Sequence, residues 1–138
     1  MNTTVLLRIA SVIALLFAVG HTMGLPWTPG PASVVEAMKA VSFDAMGSKR
    51  TYWDFYFGFG VTISVYMFAQ AALLWLLASL ARAGSSPIRP WVGVLLASNA
   101  ASGFLAWKYF FLLPVVLSVA MVACLTLALF ASRPHVGK

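Results

Sequence analysis

The sequence predicts an all-α polytopic membrane protein: an antiparallel four-transmembrane-helix bundle with a short amphipathic helix in its first outer loop. Three observations predict it. Hydrophobic residues fill 62% of the 138 positions and charged residues only 9%, against roughly 25% charged in soluble domains. Such a chain lacks the polar surface to coat a water-soluble globule. Four apolar stretches reach the roughly 20 residues that a helix needs to cross a hydrocarbon core. The basic residues sit mainly in the short segments between them. The formal charge of +6 therefore reads as membrane topology rather than a nucleic-acid footprint. Residues 1–138 form one transmembrane domain.

The first span runs from about Thr4 to Met23. Arg8 precedes its apolar run, and Ala18-Val19-Gly20 resembles a signal-cleavage site. The basic region is thin, so the segment reads as a retained helix. The second span, about Tyr52 to Arg82, is longer than a bilayer requires. It should tilt or protrude into the headgroup region. The third runs from about Pro90 to Phe111 and the fourth from Leu113 to Ser132. Backbone groups in lipid must bond within their own segment, so all four are helices. Ala83-Gly84-Ser85-Ser86-Pro87 is a tight polar turn, and Pro114 suits a first helical turn. Short connections force antiparallel neighbours.

The first connection, about Gly24 to Arg50, is long. Its opening, Gly24 to Pro31, has too many prolines and glycines to be helical. Ser33-Val34-Val35-Glu36 then matches a capping box and predicts a short helix over 34–41. Val34, Val35, Met38 and Val41 share one face of it, as in a helix lying on a membrane or over a bundle mouth. With four spans, Arg8, Arg82, Arg89, Arg133 and Lys138 share one side. Lys39, Lys49, Arg50 and Lys108 share the other. Five against four places both termini in the cytoplasm, in a cell inner membrane.

Two residues could carry chemistry. His21 closes the first helix, at the end of a small, partly polar stripe of Ser11, Ala14 and Ala18. It reads either as a histidine meeting free helix-end carbonyls or as a proton donor or acceptor in a pocket. Asp54 lies in Thr51-Tyr52-Trp53-Asp54, a T-x-x-D cap before an apolar run, with Arg50 close enough to pair. It reads either as a cap or as a membrane-edge acid facing a ligand. Trp53, Tyr56, Trp107 and Trp27 belong to an aromatic group that is either an interfacial belt or the wall of an apolar cavity. Gly58 and Gly60 allow close packing or leave room for a ligand. Asn99, in a stretch rich in small residues, should hydrogen-bond across helices, with Gln70 the plausible partner.

Several classes are disfavoured. The only other histidine, His135, lies beyond the fourth helix on the opposite side, so one haem cannot join the two. No His, Cys and carboxylate cluster has metal-ligand spacing, and no cofactor is expected. Cys124 sits in an apolar run and reads as a small hydrophobe. No phosphate loop or nucleophile elbow occurs.

Gly20-His21-Thr22, Glu36-Ala37-Met38, Phe43-Asp44 and Arg50-Thr51-Tyr52-Trp53-Asp54-Phe55-Tyr56 with Gly58-Phe59-Gly60 resemble a family of small, uncharacterised bacterial four-helix integral membrane proteins. The resemblance implies the architecture and no activity. A looser likeness, of architecture alone, is to emopamil-binding-protein-like sterol isomerases and ligand-binding proteins.

The expected function is binding of a lipophilic small molecule at the outer end of the bundle, with proton-transfer chemistry of the isomerase type as its enzymatic version. His21 and Asp54 would form the proton-transfer pair, and Arg50, Trp53, Tyr56, Trp107, Asn99 and Glu36 would contact the ligand. The alternatives are an accessory subunit of a larger membrane complex and a homo-oligomeric small transporter. The partners implied are the bilayer, a lipophilic ligand, and either a second copy or another membrane protein, with no nucleic acid.

Overall fold

The computed structural model describes residues 2–24, 30–84 and 87–132. The expected contributions of Trp27, of the Ser85-Ser86 turn, and of Arg133, His135 and Lys138 lie outside them. The described residues are helical apart from one small hairpin and short connections. The order is α1 (Thr3–Gly24), α2 (Ala32–Ala40), β1 (Ser42–Ala45), β2 (Ser48–Thr51), α3 (Tyr52–Ala83), α4 (Arg89–Tyr109) and α5 (Leu112–Ala131).

Three described helices, α1, α3 and α5, are long and apolar enough to cross a membrane, not the four expected from the sequence. The fourth candidate, α4, has the length, at 21 residues. Arg89, Ser98, Asn99, Ser102 and Lys108 dilute its apolar character. The 32 residues of α3 rise about 48 Å, well beyond a hydrocarbon thickness of about 30 Å.

The chain divides into two compact units. One comprises residues 1–17 and 68–138. Its core takes Leu6, Leu7, Ala10 and Ala14 from α1, and Ala71, Leu74, Leu77 and Ala78 from α3. Val92 comes from α4, with Ile88 just before it, and Met121, Leu125 and Ala128 come from α5. The spacings of three and four residues put each set on one helical face. Polar groups inside are paired. The Ser11 hydroxyl donates to the Ala71 carbonyl at 2.7 Å. The Gln70 amide donates to Asn99 Oδ1 at 3.0 Å, as expected, and Asn99 donates onward to the Leu95 carbonyl at 2.8 Å. Arg89 donates to the Ser132 carbonyl at the C-terminal end of α5. A Cβ added at Gly103 would lie 3.1 Å from Ser118 Cβ, so α4 and α5 approach closely through small residues, as membrane helices do.

The other unit, residues 18–67, holds α2, the hairpin and the facing parts of α1 and α3. α2 starts two residues before the expected Val34. Pro31 is its N-cap, and no side chain caps it. The Pro31 carbonyl accepts the Val34 N–H at 3.0 Å and the Val35 N–H at 3.4 Å. Ser33 is thereby already inside the helix, out of register for the capping box. The hairpin was not expected. Ser42 pairs with Thr51 and Ala45 with Ser48. Met46 and Gly47 turn the chain with φ of 54° and 84°, the signs a type I′ turn requires. Asp44 Oδ2 accepts the Gly47 N–H at 3.2 Å across the turn.

Candidate functional site

The candidate site is built on the first three turns of α3. Its start is fixed by a reciprocal cap. The Asp54 N–H donates to Thr51 Oγ1 at 3.2 Å, and Asp54 Oδ2 accepts the Thr51 N–H at 2.7 Å and its hydroxyl at 3.0 Å. This is the capping box that T-x-x-D promised. It aims the carboxylate back at the backbone. The Arg50 guanidinium donates to the Lys49 carbonyl at 3.0 Å. Its bond therefore goes to the hairpin backbone, and its charge stands beside the cap rather than closing a pair with Asp54.

At about 100° per residue, the aromatics beyond the cap divide into two stripes. Trp53, Tyr56 and Phe57 share one face with Gly60 and Ser64. The Trp53 ring stacks on Tyr56 at 5.8 Å and on Phe57 at 6.1 Å. Lys39 of α2 holds its ammonium 5.0 Å from the Trp53 ring centre, within cation–π range. Trp53, Tyr56, Phe57 and Gly60 are half-buried and Ser64 is buried. The second stripe is exposed. Phe55 packs on Phe59 at 5.8 Å, and Phe43 from β1 meets Tyr52 at 5.1 Å and Phe55 at 5.5 Å. Phe43 thus pins the hairpin to the outward side of α3.

Between hairpin and helix lies a cleft of about 520 Å³, lined by Ala45, Met46, Ser48, Arg50, Asp54, Phe55, Gly58, Phe59 and Thr62. The floor is aromatic and apolar, and the charges of Arg50 and Asp54 stand at one end. Gly58 helps to make the space, since a Cβ there would meet nothing within 4 Å.

His21 belongs to the other face. Its Nε2 lies 3.1 Å from the Gly60 carbonyl oxygen. A carbonyl can only accept, so Nε2 carries the proton. The Ser64 hydroxyl donates to the same oxygen at 3.2 Å. Gly60 lies about 9 Å along the helix from Asp54. The His21 face and the cleft are centred about 180° apart around α3. His21 clamps α1 to α3, Asp54 caps α3, and the two carry no direct contact.

The other expected ligand contacts divide similarly. Arg50 and Asp54 line the cleft. Trp53 and Tyr56 lie on the opposite stripe, and Glu36 is exposed on α2. Trp107 and Asn99 lie on α4, in the other unit, where Asn99 is engaged by Gln70 and Trp107 packs its ring near Phe104 at 5.9 Å. Phe55, Phe59, Thr62 and Met46, which also line the cleft, were not among the expected ligand contacts. The one signal for them was periodicity, because 55, 58, 59 and 62 recur with Asp54 on one helical face. Among the described residues no group of His, Cys, Asp and Glu could hold a metal ion. Comparison with protein families, with characterised proteins and with solved structures finds no match for this chain.

Proposed function

We propose that the protein is a four-span integral membrane protein that binds a lipophilic small molecule in the cleft between the hairpin and α3. The cleft carries this reading. Its volume of about 520 Å³ falls within the roughly 300–1,000 Å³ of small-molecule sites, which pair apolar walls with a few placed polar groups. Phe55, Phe59 and Gly58 supply an apolar floor. Arg50 and Asp54 supply one polar end. The best-fitting ligand is an amphiphile with a ring system or short chain and a hydrogen-bonding head. Met46 supports the reading. The residue is fully exposed, and its backbone has a φ of 54°. An Asn or Gly would be more comfortable there, whereas a methionine brings an adaptable apolar surface to the cleft wall.

With α4 as the fourth span, both termini share a side with the α3–α4 connection, and the cleft opens on the other. The basic residues favour that first side as cytoplasmic. Proton transfer by His21 and Asp54 is not part of this proposal, since Asp54 turns back to cap Thr51 and His21, from α1, meets the Gly60 carbonyl about 120° round α3 from Asp54. The test is mass spectrometry of small molecules that co-purify with the full chain, in parallel with Gly58→Leu. The expected result is one lipophilic species retained above bulk lipid by the natural chain and lost from Gly58→Leu, whose side chain fills the cleft. Retention of bulk lipid alone by the natural chain would overturn the proposal.

A further inference from the structure

We propose a second site, independent of the cleft: Arg8 and Arg82 hold the phosphate of an anionic phospholipid headgroup at the end of α3 remote from Asp54. A hollow of about 500 Å³ is lined by Arg8, Ser79, Arg82 and Ala83. It lies wholly within the unit formed by residues 1–17 and 68–138. The α3 residues recur at helical spacing. From Trp75 the same face passes through Ser79 to Arg82 and Ala83.

Arg8 is held in place before any ligand arrives. Its guanidinium carbon sits 3.3 Å from the centre of the Trp75 ring, and Nη2 donates to Ser79 Oγ at 3.1 Å. Ser79 in turn donates to the Trp75 carbonyl at 3.2 Å. The bond to Ser79 uses one of the five N–H donors in the guanidinium fork. A stacked, oriented arginine of this kind loses little freedom when it takes an oxyanion in bidentate fashion.

No acidic side chain belongs to the unit that holds this site. The sequence holds three acidic residues, Glu36, Asp44 and Asp54, and all lie within residues 18–67. Arg8 stands five residues into α1, or about 7.5 Å along it. A cation at that depth is costly unless it reaches an anion. In a bilayer the anions at headgroup depth are lipid phosphates, and basic pockets between membrane helices bind them. Arg82, exposed in the last turn of α3, closes the other side of the hollow. The shared chemistry is a phosphate oxyanion. The depth of Arg8 and the hydrophobic run beside it favour a lipid phosphodiester with net negative charge over a soluble phosphate.

The test is native mass spectrometry of the full chain in neutral detergent, titrated with phosphatidylglycerol, phosphatidylcholine or inorganic phosphate. The natural chain is expected to bind phosphatidylglycerol well above phosphatidylcholine. Each arginine removed should weaken phosphatidylglycerol binding about fivefold. Arg82→Gln lies at an exposed helix end and should fold even if Arg8→Gln, which loses its stack on Trp75, does not. Arg8→Lys should retain part of the preference, and Lys108→Gln all of it. Equal binding of the two lipids, or an undiminished preference in Arg82→Gln, would overturn the proposal. Displacement of phosphatidylglycerol by millimolar inorganic phosphate would overturn the lipid assignment in favour of a soluble phosphate.

Discussion

The two units of this chain are held together differently. In the unit of residues 1–17 and 68–138, four helices bury a continuous core of leucine, alanine and methionine. In the unit of residues 18–67, only Ala18 and Ser64 are fully buried among the described residues. There the holding forces are ring contacts, a helix cap, a two-stranded ladder and the bond from His21 to Gly60. Close packing suits a scaffold, because a core at crystal-like density leaves no room inside for a guest, and the Arg8 and Arg82 hollow lies outside that core. The thinly buried unit keeps open space, and its cleft lies under the hairpin. The difference teaches where to look for a lipophilic guest: at the end of α3 where the apolar packing thins out and the aromatics face outward.

The comparison breaks most readily at Gly103. Its Cβ position is already within 3.1 Å of Ser118 Cβ, and branching adds two more methyl groups. Gly103→Val should destabilise the α4–α5 packing by about 2 kcal/mol, a typical cost of overpacking. The check is unfolding in mixed micelles with hydrogen exchange read at α4 and α5. A change within about 0.5 kcal/mol, as expected of an ordinary surface site, would mean that this packing is loose.

A smaller effect tests the thin unit. Thr51→Ala removes the hydroxyl that caps α3 and should cost about 1 kcal/mol. Its signature is faster amide exchange over the first turn of α3, Tyr52 to Phe55. His21→Ala removes one interhelical hydrogen bond whose acceptor keeps Ser64 as a donor, so its cost should lie near 0.5–1 kcal/mol. It should also leave retention of a cleft ligand unchanged, since His21 faces away from the cleft. Loss of the ligand in His21→Ala would bring His21 back into the ligand site, although its bond to Gly60 lies on the side of α3 away from the cleft.

The long helices were legible in the sequence because length and apolar composition alone decide them. The ends of α3 and α5 fall within a residue or so of expectation, and the Thr51 cap and the Gln70 to Asn99 bond were readable from local pattern and matched depth. The hairpin was not legible. Its strands have four residues each, and Met-Gly is a poor turn signal beside Asn-Gly. Composition drew Trp53, Tyr56 and Asp54 into one site, although the helical period separates them. No local pattern could reveal that His21 reaches the Gly60 carbonyl, because the two lie 39 residues apart. That contact depends on how α1 meets α3.

The smallest effect concerns Met46, and it sharpens the comparison most. In the packed unit a non-glycine residue at positive φ would be a cost without return. At the hairpin tip, Met46 holds φ at 54° with its side chain entirely exposed. Asparagine visits that region more readily, so Met46→Asn should stabilise the hairpin by about 0.5 kcal/mol. Slower exchange of the β1 and β2 amides would report it. The same substitution replaces an apolar wall of the cleft with an amide, so it should weaken retention of a lipophilic ligand while the hairpin tightens. Opposite signs in the two measurements would show that Met46 is kept for what it touches rather than for how it turns the chain. Parallel signs would return the residue to a plain role in the turn.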